Sequence, residues 1–222
     1  MHDDQHGTAI VTLAGLINAM KVTGRNLQDC RIVVVGAGAG GTAIMKLLHQ
    51  YARPEILAVD SKGIISESRN DLNNDKKQLL AISNPNNVSG TLEDALQDAD
   101  IFIGVSKPGL LTPALIKRMH KNPIVFAMAN PIPEIMPAEA KAAGVAIMAT
   151  GRSDFPNQVN NSLAFPGIFR GALDNRVAAI TDEHKAKAAE VIASLVENPD
   201  ADHIMPSPLD DRLVPGIAAV IR

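Results

Sequence analysis

The chain has 222 residues, of which 46% are hydrophobic and 20% charged, so it can bury a substantial core as one large domain. A net charge of -3 and a pI near 6.1 argue against a surface for nucleic acid or anionic membranes, and no apolar run approaches the roughly 18 residues of a membrane span. The single cysteine, Cys30, excludes an internal disulfide framework and favours a reducing cytoplasm. No neighbouring residue would activate its thiol, so we expect Cys30 to be buried.

Strand-like and helix-like segments alternate along most of the chain. Apolar residues recur at helical spacing over 8–21, and Gly24 follows where a helix C-cap would fall. Five strands are predicted next, over 31–35, 56–59, 101–105, 124–128 and 145–149. Helical patterns separate most of them, near 41–52, 91–97, 112–120 and 137–143. This alternation predicts an α/β fold with a doubly wound parallel sheet and helices on both faces.

The remaining segments are more polar or follow the last strand. We interpret 61–87 as an irregular crossover with one helix near 74–81. A strong helix is predicted over about 182–197, and a proline-rich tail ending in 217–221 is expected to wrap back onto the domain.

The run 31–41 carries the clearest functional motif, because a β-branched strand breaks into glycines at G-x-G-x-x-G spacing before a helix-like segment. Gly36 would form the tight turn, Gly38 would let the backbone approach a pyrophosphate, and Gly41 would let helix and strand pack closely. The second strand ends on Asp60, about 20 residues beyond the motif, where an acid would hold a ribose hydroxyl. Together these features predict a Rossmann-like dinucleotide site.

Polar residues follow two later strands, where ligands bind in such folds. Asn130 precedes a proline and could donate to a substrate carboxylate or cap a turn. The turn 105–109 could line a nicotinamide or merely connect two elements. Further along, three amides fall within four residues, and N-capping explains one of them more easily than all: Gln158, Asn160 and Asn161.

The first residues place two carboxylates between two histidines. Asp3 and Asp4, flanked by His2 and His6, are candidate ligands for Mg2+ or Mn2+, and the alternative is a frayed terminus. No lysine or tyrosine stands at the predicted crevice as an obvious general base or acid. Lys107 is the nearest candidate, and the only tyrosine is interpreted as helix packing.

Several of these stretches together resemble the cofactor-binding half of malic enzyme of the prokaryotic type. They are HDDQHGTA near the start, GAGAGG at 36–41, VDSKG at 59–63, IGVS at 103–106, ANP at 129–131 and TGRSDFPNQVNNSLAFPGIFRG at 150–171. The resemblance extends through essentially all 222 residues. It implies one NAD(P)-binding domain with a leading helix over 1–24, a Rossmann core over 25–150, and a substrate-side loop with C-terminal helices over 151–222.

The resemblance implies oxidative decarboxylation of (S)-malate to pyruvate and CO2, with reduction of NAD or NADP and a requirement for Mg2+ or Mn2+. Asp4 matches a metal ligand, Asn130 a contact to malate and nicotinamide, and Asn160 with Asn161 the amides that hold the substrate carboxylates. The residues matching the dinucleotide site are Gly36, Ala37, Gly38, Ala39, Gly40, Gly41, Asp60, Ser61, Lys62, Val105, Ser106 and Asn130.

In the resembled enzymes a preceding domain supplies a tyrosine general acid, a lysine general base and two further metal ligands, and this chain starts after them. We therefore expect no catalytic residue in this chain and negligible turnover from it alone. The resemblance also implies that the full enzyme is a homodimer. A non-catalytic dinucleotide-binding module is an alternative. Another alternative, a Rossmann dehydrogenase of amino-acid or shikimate type, is disfavoured by the Asn160–Asn161 pair. The choice between NAD and NADP stays open, because Asp60 favours NAD and Lys62 would offset its charge.

Overall fold

The computed structural model describes all 222 residues. One sheet is built from six strands: β1 (Arg31–Val35), β2 (Glu55–Asp60), β3 (Gly63–Ile64), β4 (Ile101–Gly104), β5 (Ile124–Ala127) and β6 (Ile147–Thr150). Their order is β3-β2-β1-β4-β5-β6, and every neighbouring pair is parallel except β2 with β3. In register, Val35 pairs with Val59 and Gly104, and Ala127 pairs with Gly104 and Thr150. The carboxyl ends of five strands therefore meet along one edge.

Nine α-helices accompany the sheet: α1 (Thr8–Thr23), α2 (Ala39–Ala52), α3 (Asn74–Leu79), α4 (Leu92–Ala95), α5 (Pro113–Ile116), α6 (Pro137–Ala142), α7 (Phe165–Asp174), α8 (Asp182–Ser194) and α9 (Leu213–Val220). Successive strand residues point to opposite faces, so Val34 packs in a core with α1, α2 and α8, and Val33 in a second core with α4, α5 and α6. Helices thus cover both faces, which confirms the predicted doubly wound, Rossmann-like class.

The chain before α1 is ordered by its own hydrogen bonds. Asp3–Gly7 forms a π-helical turn that runs directly into α1, and the hydroxyl of Thr8 donates to the carbonyl of Asp4 at 3.0 Å. Gly24 ends α1 in the left-handed conformation, as its sequence position predicts. The leading segment therefore has regular structure and packs against α1 and the start of α2 rather than being frayed.

The proline-rich tail packs back on the domain as predicted. A Cβ added to Gly167 would lie 2.6 Å from the Cβ of Ile217, and one added to Gly171 would lie 2.6 Å from the carbonyl oxygen of Ala218. These small residues let α7 and α9 approach closely. The side chain of Asn175 donates to the carbonyl of Ile221 at 2.8 Å, which fixes the chain end against α7.

Several predicted boundaries are wrong. The stretch interpreted as an irregular crossover contains β3, which pairs antiparallel with β2 through only two residues and is too short to show a periodic pattern. Helices α4 and α5 are single turns, shorter than predicted, because the amides that follow them, such as those of Gln97 and Arg118, bond three residues back and tighten the chain into turns. Strand β6 begins at Ile147 because Gly144, with φ 97°, ends the preceding helix and occupies the connection.

The last long helix and α2 also differ from expectation. Helix α8 ends at Ser194 rather than near 197, since the amides of Leu195 and Val196 bond three residues back and tighten the turn. Helix α2 begins at Ala39, two residues earlier than predicted, so more of the glycine motif belongs to a helix start. None of the helices combines the length and hydropathy needed to cross a membrane.

Candidate functional site

The glycine turn joins β1 to α2 and leaves open space at the helix start. Gly36 has φ 114°, and a Cβ there would lie 2.7 Å from the carbonyl oxygen of Val105. A Cβ on Gly41 would lie 1.8 Å from the carbonyl oxygen of Gly36. At Gly38, by contrast, a Cβ would meet no atom within 4 Å, and no side chain caps α2 there. Two glycines are thus required by the packing of the chain itself, whereas Gly38 leaves room for a ligand at a positive helix end.

Asp60 ends β2 and is held by two cationic side chains. Its carboxylate, only 7% exposed, accepts from both terminal guanidinium nitrogens of Arg69 at 2.8 and 3.1 Å, from Nζ of Lys76 at 2.6 Å and from the amide of Lys62 at 2.8 Å. Burial raises the pKa of Asp60, but these hydrogen bonds outweigh it and lower the pKa to about 2. The side chain of Lys62 pairs instead with Asp71 at 2.9 Å. The cations that offset Asp60 are therefore Arg69 and Lys76, which the sequence reasoning missed.

Two cavities open at the carboxyl edge of the sheet on either side of the β4 end. The first, of about 450 Å³, is here called the Asp60 cavity, and its lining includes Asp60, Ser61, Lys62 and Lys107. The second, of about 310 Å³, is called the Asp4 cavity. Ser106 lines both of them. A third, of about 410 Å³, lies along the α2 start and is lined by 37–39 and by Lys46 and Lys76.

The Asp4 cavity brings together most of the predicted substrate-side residues. Its lining consists of Asp4, Thr8, Gly40, Val105, Ser106, Met128, Ala129, Asn130, Gly151, Val159, Asn160 and Asn161. Gln158 is not part of this lining, and its segment instead bridges to Thr150 beside β6. No lysine or tyrosine lines the cavity. It is consequently a polar chamber of amides and one carboxylate, with no side chain suited to act as a general base of the lysine type.

The three asparagines of the Asp4 cavity differ in how far their amides are already used. Asn130 precedes a cis peptide bond to Pro131, and its side chain makes no hydrogen bond within the chain. The side-chain oxygen Oδ1 of Asn160 accepts from the backbone amide of Ser162 at 2.9 Å, which leaves the side-chain NH2 group available. The Asn161 NH2 group donates to Asp3 at 2.6 Å. Asn130 and Asn160 can therefore donate to a ligand directly, and Asn161 holds the turn that carries Asp4.

The acidic cluster at the chain start is mostly engaged with the protein. One carboxylate oxygen of Asp3 bonds to Asn161 and the other is buried without a partner, while burial and the neighbouring Asp4 raise the pKa of Asp3. His2 and His6 bond to each other. Asp4 lines the cavity, and its exposed carboxylate makes no hydrogen bond or ion pair within the chain. The chain contains no group of three His, Cys, Asp or Glu side chains placed to hold a metal ion.

Glu134 is a further residue of the site that the sequence reasoning missed. It is fully buried, with one carboxylate oxygen accepting from the amide of Ser106 at 3.0 Å and the other from the amide of Ala129 at 3.1 Å. Burial raises its pKa, and the two backbone amides only partly oppose this effect. The sequence did contain a signal for this residue: Glu134 stands four positions after Asn130, among apolar residues and prolines, where a buried carboxylate could be suspected.

Residues considered for other chemistry lie elsewhere. Cys30 is buried, and burial raises the pKa of its thiol to about 11, so it is an inert thiol as predicted. The hydroxyl of Tyr51 donates to Glu190 at 3.2 Å on the outer surface. Lys107 lines the Asp60 cavity rather than the Asp4 cavity.

The parallel sheet, the open glycine turn and the flanking cavities define a dinucleotide-binding domain of the Rossmann type. The family profile described as "Malic enzyme, NAD binding domain" matches residues 5–213. The chain belongs to the malic enzyme family, in which it is the NAD(P)-binding domain. This membership confirms the resemblance found in the sequence. It also confirms the predicted class of enzyme, because the family consists of NAD(P)-dependent oxidoreductases.

Known relatives show the same assignment. The chain is 53% identical to the bifunctional malic/malolactic enzyme of Bacillus subtilis, covering 99% of this chain and 54% of the relative. It is 48% identical to the NAD-dependent malic enzyme of Geobacillus stearothermophilus, covering 96% and 45% respectively. The crystal structure of the NAD-dependent malic enzyme from Thermotoga maritima superposes with a TM-score of 0.96 at 44% identity, over 100% of this chain and 59% of that one. The chain thus spans about half the length of the relatives it matches.

Proposed function

We propose that this chain provides the NAD(P) site and part of the substrate site for oxidative decarboxylation of (S)-malate to pyruvate and CO2, with hydride transfer to the nicotinamide. One observation carries the proposal. The glycine turn adjoins three cavities: Val35, just before the turn, lines the Asp60 cavity, Gly38 lines the cavity along the α2 start, and Gly40 lines the Asp4 cavity with Asn130 and Asn160. A dinucleotide bound across this edge would place its two halves in different cavities, with the reacting end beside the free amides.

Different parts of the dinucleotide would bind to the glycine turn and to the strand ends. In this proposal the pyrophosphate binds the free amides of 37–40 at the start of α2. The adenosine ribose lies near Asp60, Ser61 and Lys62, and the nicotinamide half passes Val105 and Ser106 toward Asn130. Ser106 supports this path because it lines both cavities.

The amides of the Asp4 cavity suit a dicarboxylate substrate. The NH2 groups of Asn130 and Asn160 are available as donors, and a carboxylate accepts such bonds at low cost in a site that partly excludes water. Asn161 would contribute by holding Asp3, or directly if malate displaces that bond. These residues would bind and orient malate or pyruvate.

The divalent ion of this proposal is Mg2+ or Mn2+. When bound, it supplies Lewis-acid stabilisation of negative charge on a substrate oxygen. Asp4 is the residue of this chain that would hold it, because it lines the cavity and its carboxylate makes no hydrogen bond or ion pair within the chain. Further ligands, the lysine base and the tyrosine acid are assigned to an N-terminal catalytic domain outside these 222 residues. We therefore expect negligible malate oxidation by this chain alone.

Cofactor choice, assembly and location complete the proposal. Relatives that match nearly the whole chain include NAD-dependent and NADP-dependent malic enzymes, the latter exemplified by the Halomonas elongata enzyme at 46% identity. Because Arg69 and Lys76 neutralise Asp60, both nucleotides remain candidates for this chain. The full enzyme is proposed to be a homodimer in the cytoplasm, where the unpaired Cys30 would stay reduced.

Manganese-dependent substrate binding tests the substrate-side half of the proposal. Calorimetry with malate in the presence of NAD should show that added Mn2+ strengthens binding to the wild-type chain. The Asp4→Asn variant should lose this effect, and Asp211→Asn, which removes an exposed acid far along the chain, should keep it. Malate binding that ignores Mn2+ and Asp4 would contradict the proposal and favour a nucleotide-binding module without a catalytic role.

A further inference from the structure

Glu134 joins two neighbouring strand ends at the point where their backbone pairing stops. The last bond between these strand ends runs from the amide of Met128 to the carbonyl of Gly104 at 2.9 Å. Beyond it the chains diverge, and the Glu134 carboxylate accepts from the amide of Ser106 on one side and from that of Ala129 on the other. The carboxylate therefore replaces a backbone partner for both segments.

The surrounding chain is shaped to keep this carboxylate in place. A Cβ on Gly104 would lie 2.3 Å from the carboxyl carbon of Glu134, so the glycine provides its space. The backbone of the same segment is also fixed, because the amide of Leu111 donates to the carbonyl of Glu134 at 3.1 Å. The carboxylate makes these bonds at zero exposure and takes part in no ion pair. Its position is defined by the fold on every side.

A buried acid whose partners are all backbone amides contributes little to stability. Removing a carboxylate from water costs free energy that hydrogen bonds from the amides of Ser106, Ala129 and Glu134 itself offset only in part, so burial raises its pKa. An apolar side chain of similar volume would fill the same space. The groups that Glu134 holds point to another role, because Ser106 and Ala129 both line the Asp4 cavity and Asn130 follows Ala129 directly.

We propose that Glu134 is a positioning residue that fixes the nicotinamide-side wall of the site through the amides of Ser106 and Ala129. This inference rests on the proposed function, which places the nicotinamide half of the dinucleotide along that wall. Glu134 contacts neither Asp60 nor the amides of 37–40. Its removal should therefore weaken binding of the nicotinamide ring and leave binding of the ADP-ribose remainder of NAD nearly unaffected.

Comparing NAD with ADP-ribose, which lacks the nicotinamide, tests the inference on the Glu134→Gln variant. Glutamine keeps the shape but offers one acceptor oxygen, and its NH2 group would face a backbone N–H. Loss of one charge-assisted bond predicts an affinity for NAD that is about tenfold weaker. Affinity for ADP-ribose should stay within about twofold of wild type. The matched control, Glu139→Gln, removes an exposed acid on α6 and should change neither affinity.

The possible results separate this inference from the proposed function. Equal loss of affinity for both ligands in Glu134→Gln, or loss for neither, would overturn the positioning role while leaving the dinucleotide site intact. Failure of the wild-type chain to bind either ligand would instead overturn the proposed function and the inference with it.

A second variant and a wild-type measurement cover the case in which glutamine prevents folding. Glu134→Asp keeps the charge on a shorter side chain, so its NAD affinity should lie between those of wild type and a chain without the carboxylate. In the wild-type chain, the NMR signal of the Ala129 amide, which lines only the Asp4 cavity, should move on addition of NAD and stay in place with ADP-ribose. Identical responses to both ligands would contradict the inference.

Discussion

The Asp60→Asn variant removes the charge on which Arg69 and Lys76 converge. In the folded chain the Asp60 pKa is about 2, compared with an ordinary value of 3.8. At about 1.4 kcal/mol for each pH unit, this difference corresponds to about 2 kcal/mol of stability at pH 7. The carboxylate is only 7% exposed, so solvent screens the interaction weakly. We expect the variant to be less stable than wild type by about this amount in urea unfolding at pH 7.

The difference in stability between wild type and Asp60→Asn should depend on pH. Because folding lowers the Asp60 pKa, its contribution is complete above about pH 3.8 and is lost as the pH falls through 2. The stability gap between wild type and Asp60→Asn should therefore be constant from pH 7 to about pH 5 and shrink below pH 4. A gap that is absent at pH 7, or one that grows in acid, would refute the reasoning.

The variant should also change nucleotide choice. Once Asp60 is neutral, Lys76 loses its carboxylate partner and Arg69 keeps only Asp71, so a 2′-phosphate meets two less compensated cations. We expect the ratio of NADP to NAD affinity to rise about tenfold, the size of one charge-assisted bond to phosphate. Calorimetry with both nucleotides measures the ratio, with Asp211→Asn as the control. An unchanged ratio would mean that Asp60 does not read the ribose substituent.

Three further predictions follow from packing and burial. Gly41→Ala should destabilise the fold by about 3 kcal/mol in urea unfolding, because its Cβ would lie 1.8 Å from a backbone oxygen; wild-type stability would contradict this. Asn18→Ala should cost about 2–3 kcal/mol, since it leaves the carbonyls of Ala193 and Ile204 without their donor in the core, and thermal unfolding checks it. A thiol reagent at pH 8 should label Cys30 only on unfolding; rapid labelling of the native chain would refute its burial.

The sequence was sufficient for features that depend on local chain chemistry. Glycine spacing and the adjacent strand identified the turn at 36–41, and the structure shows why Gly36 and Gly41 admit no side chain. The alternation of strands and helices likewise predicted the parallel sheet, since buried parallel strands carry continuous apolar runs. Each of these patterns is formed by residues that are close together in the sequence, so it can be recognised without the structure.

Contacts between distant segments could not be predicted in this way. Arg69 and Lys76 reach Asp60 across 9 and 16 residues of a stretch with no regular period. Asn161 meets Asp3 across 158 residues, so its amide was predicted to be available for substrate although it already has a partner in the chain. Glu134 was missed because a lone acid after a turn is usually solvated, and only the sheet register places it between two strand ends.

The open space at Gly38 is the proposed pyrophosphate site of this domain. The Gly38→Ala variant tests it most directly, because its φ of -84° suits alanine and the added Cβ would touch nothing within 4 Å of the protein. Calorimetry with NAD should show binding to wild type and at least about tenfold weaker binding to the variant, with stability lowered by less than about 1 kcal/mol. If wild type and the variant were both stable and bound NAD equally well, the open space at Gly38 would not be the pyrophosphate site.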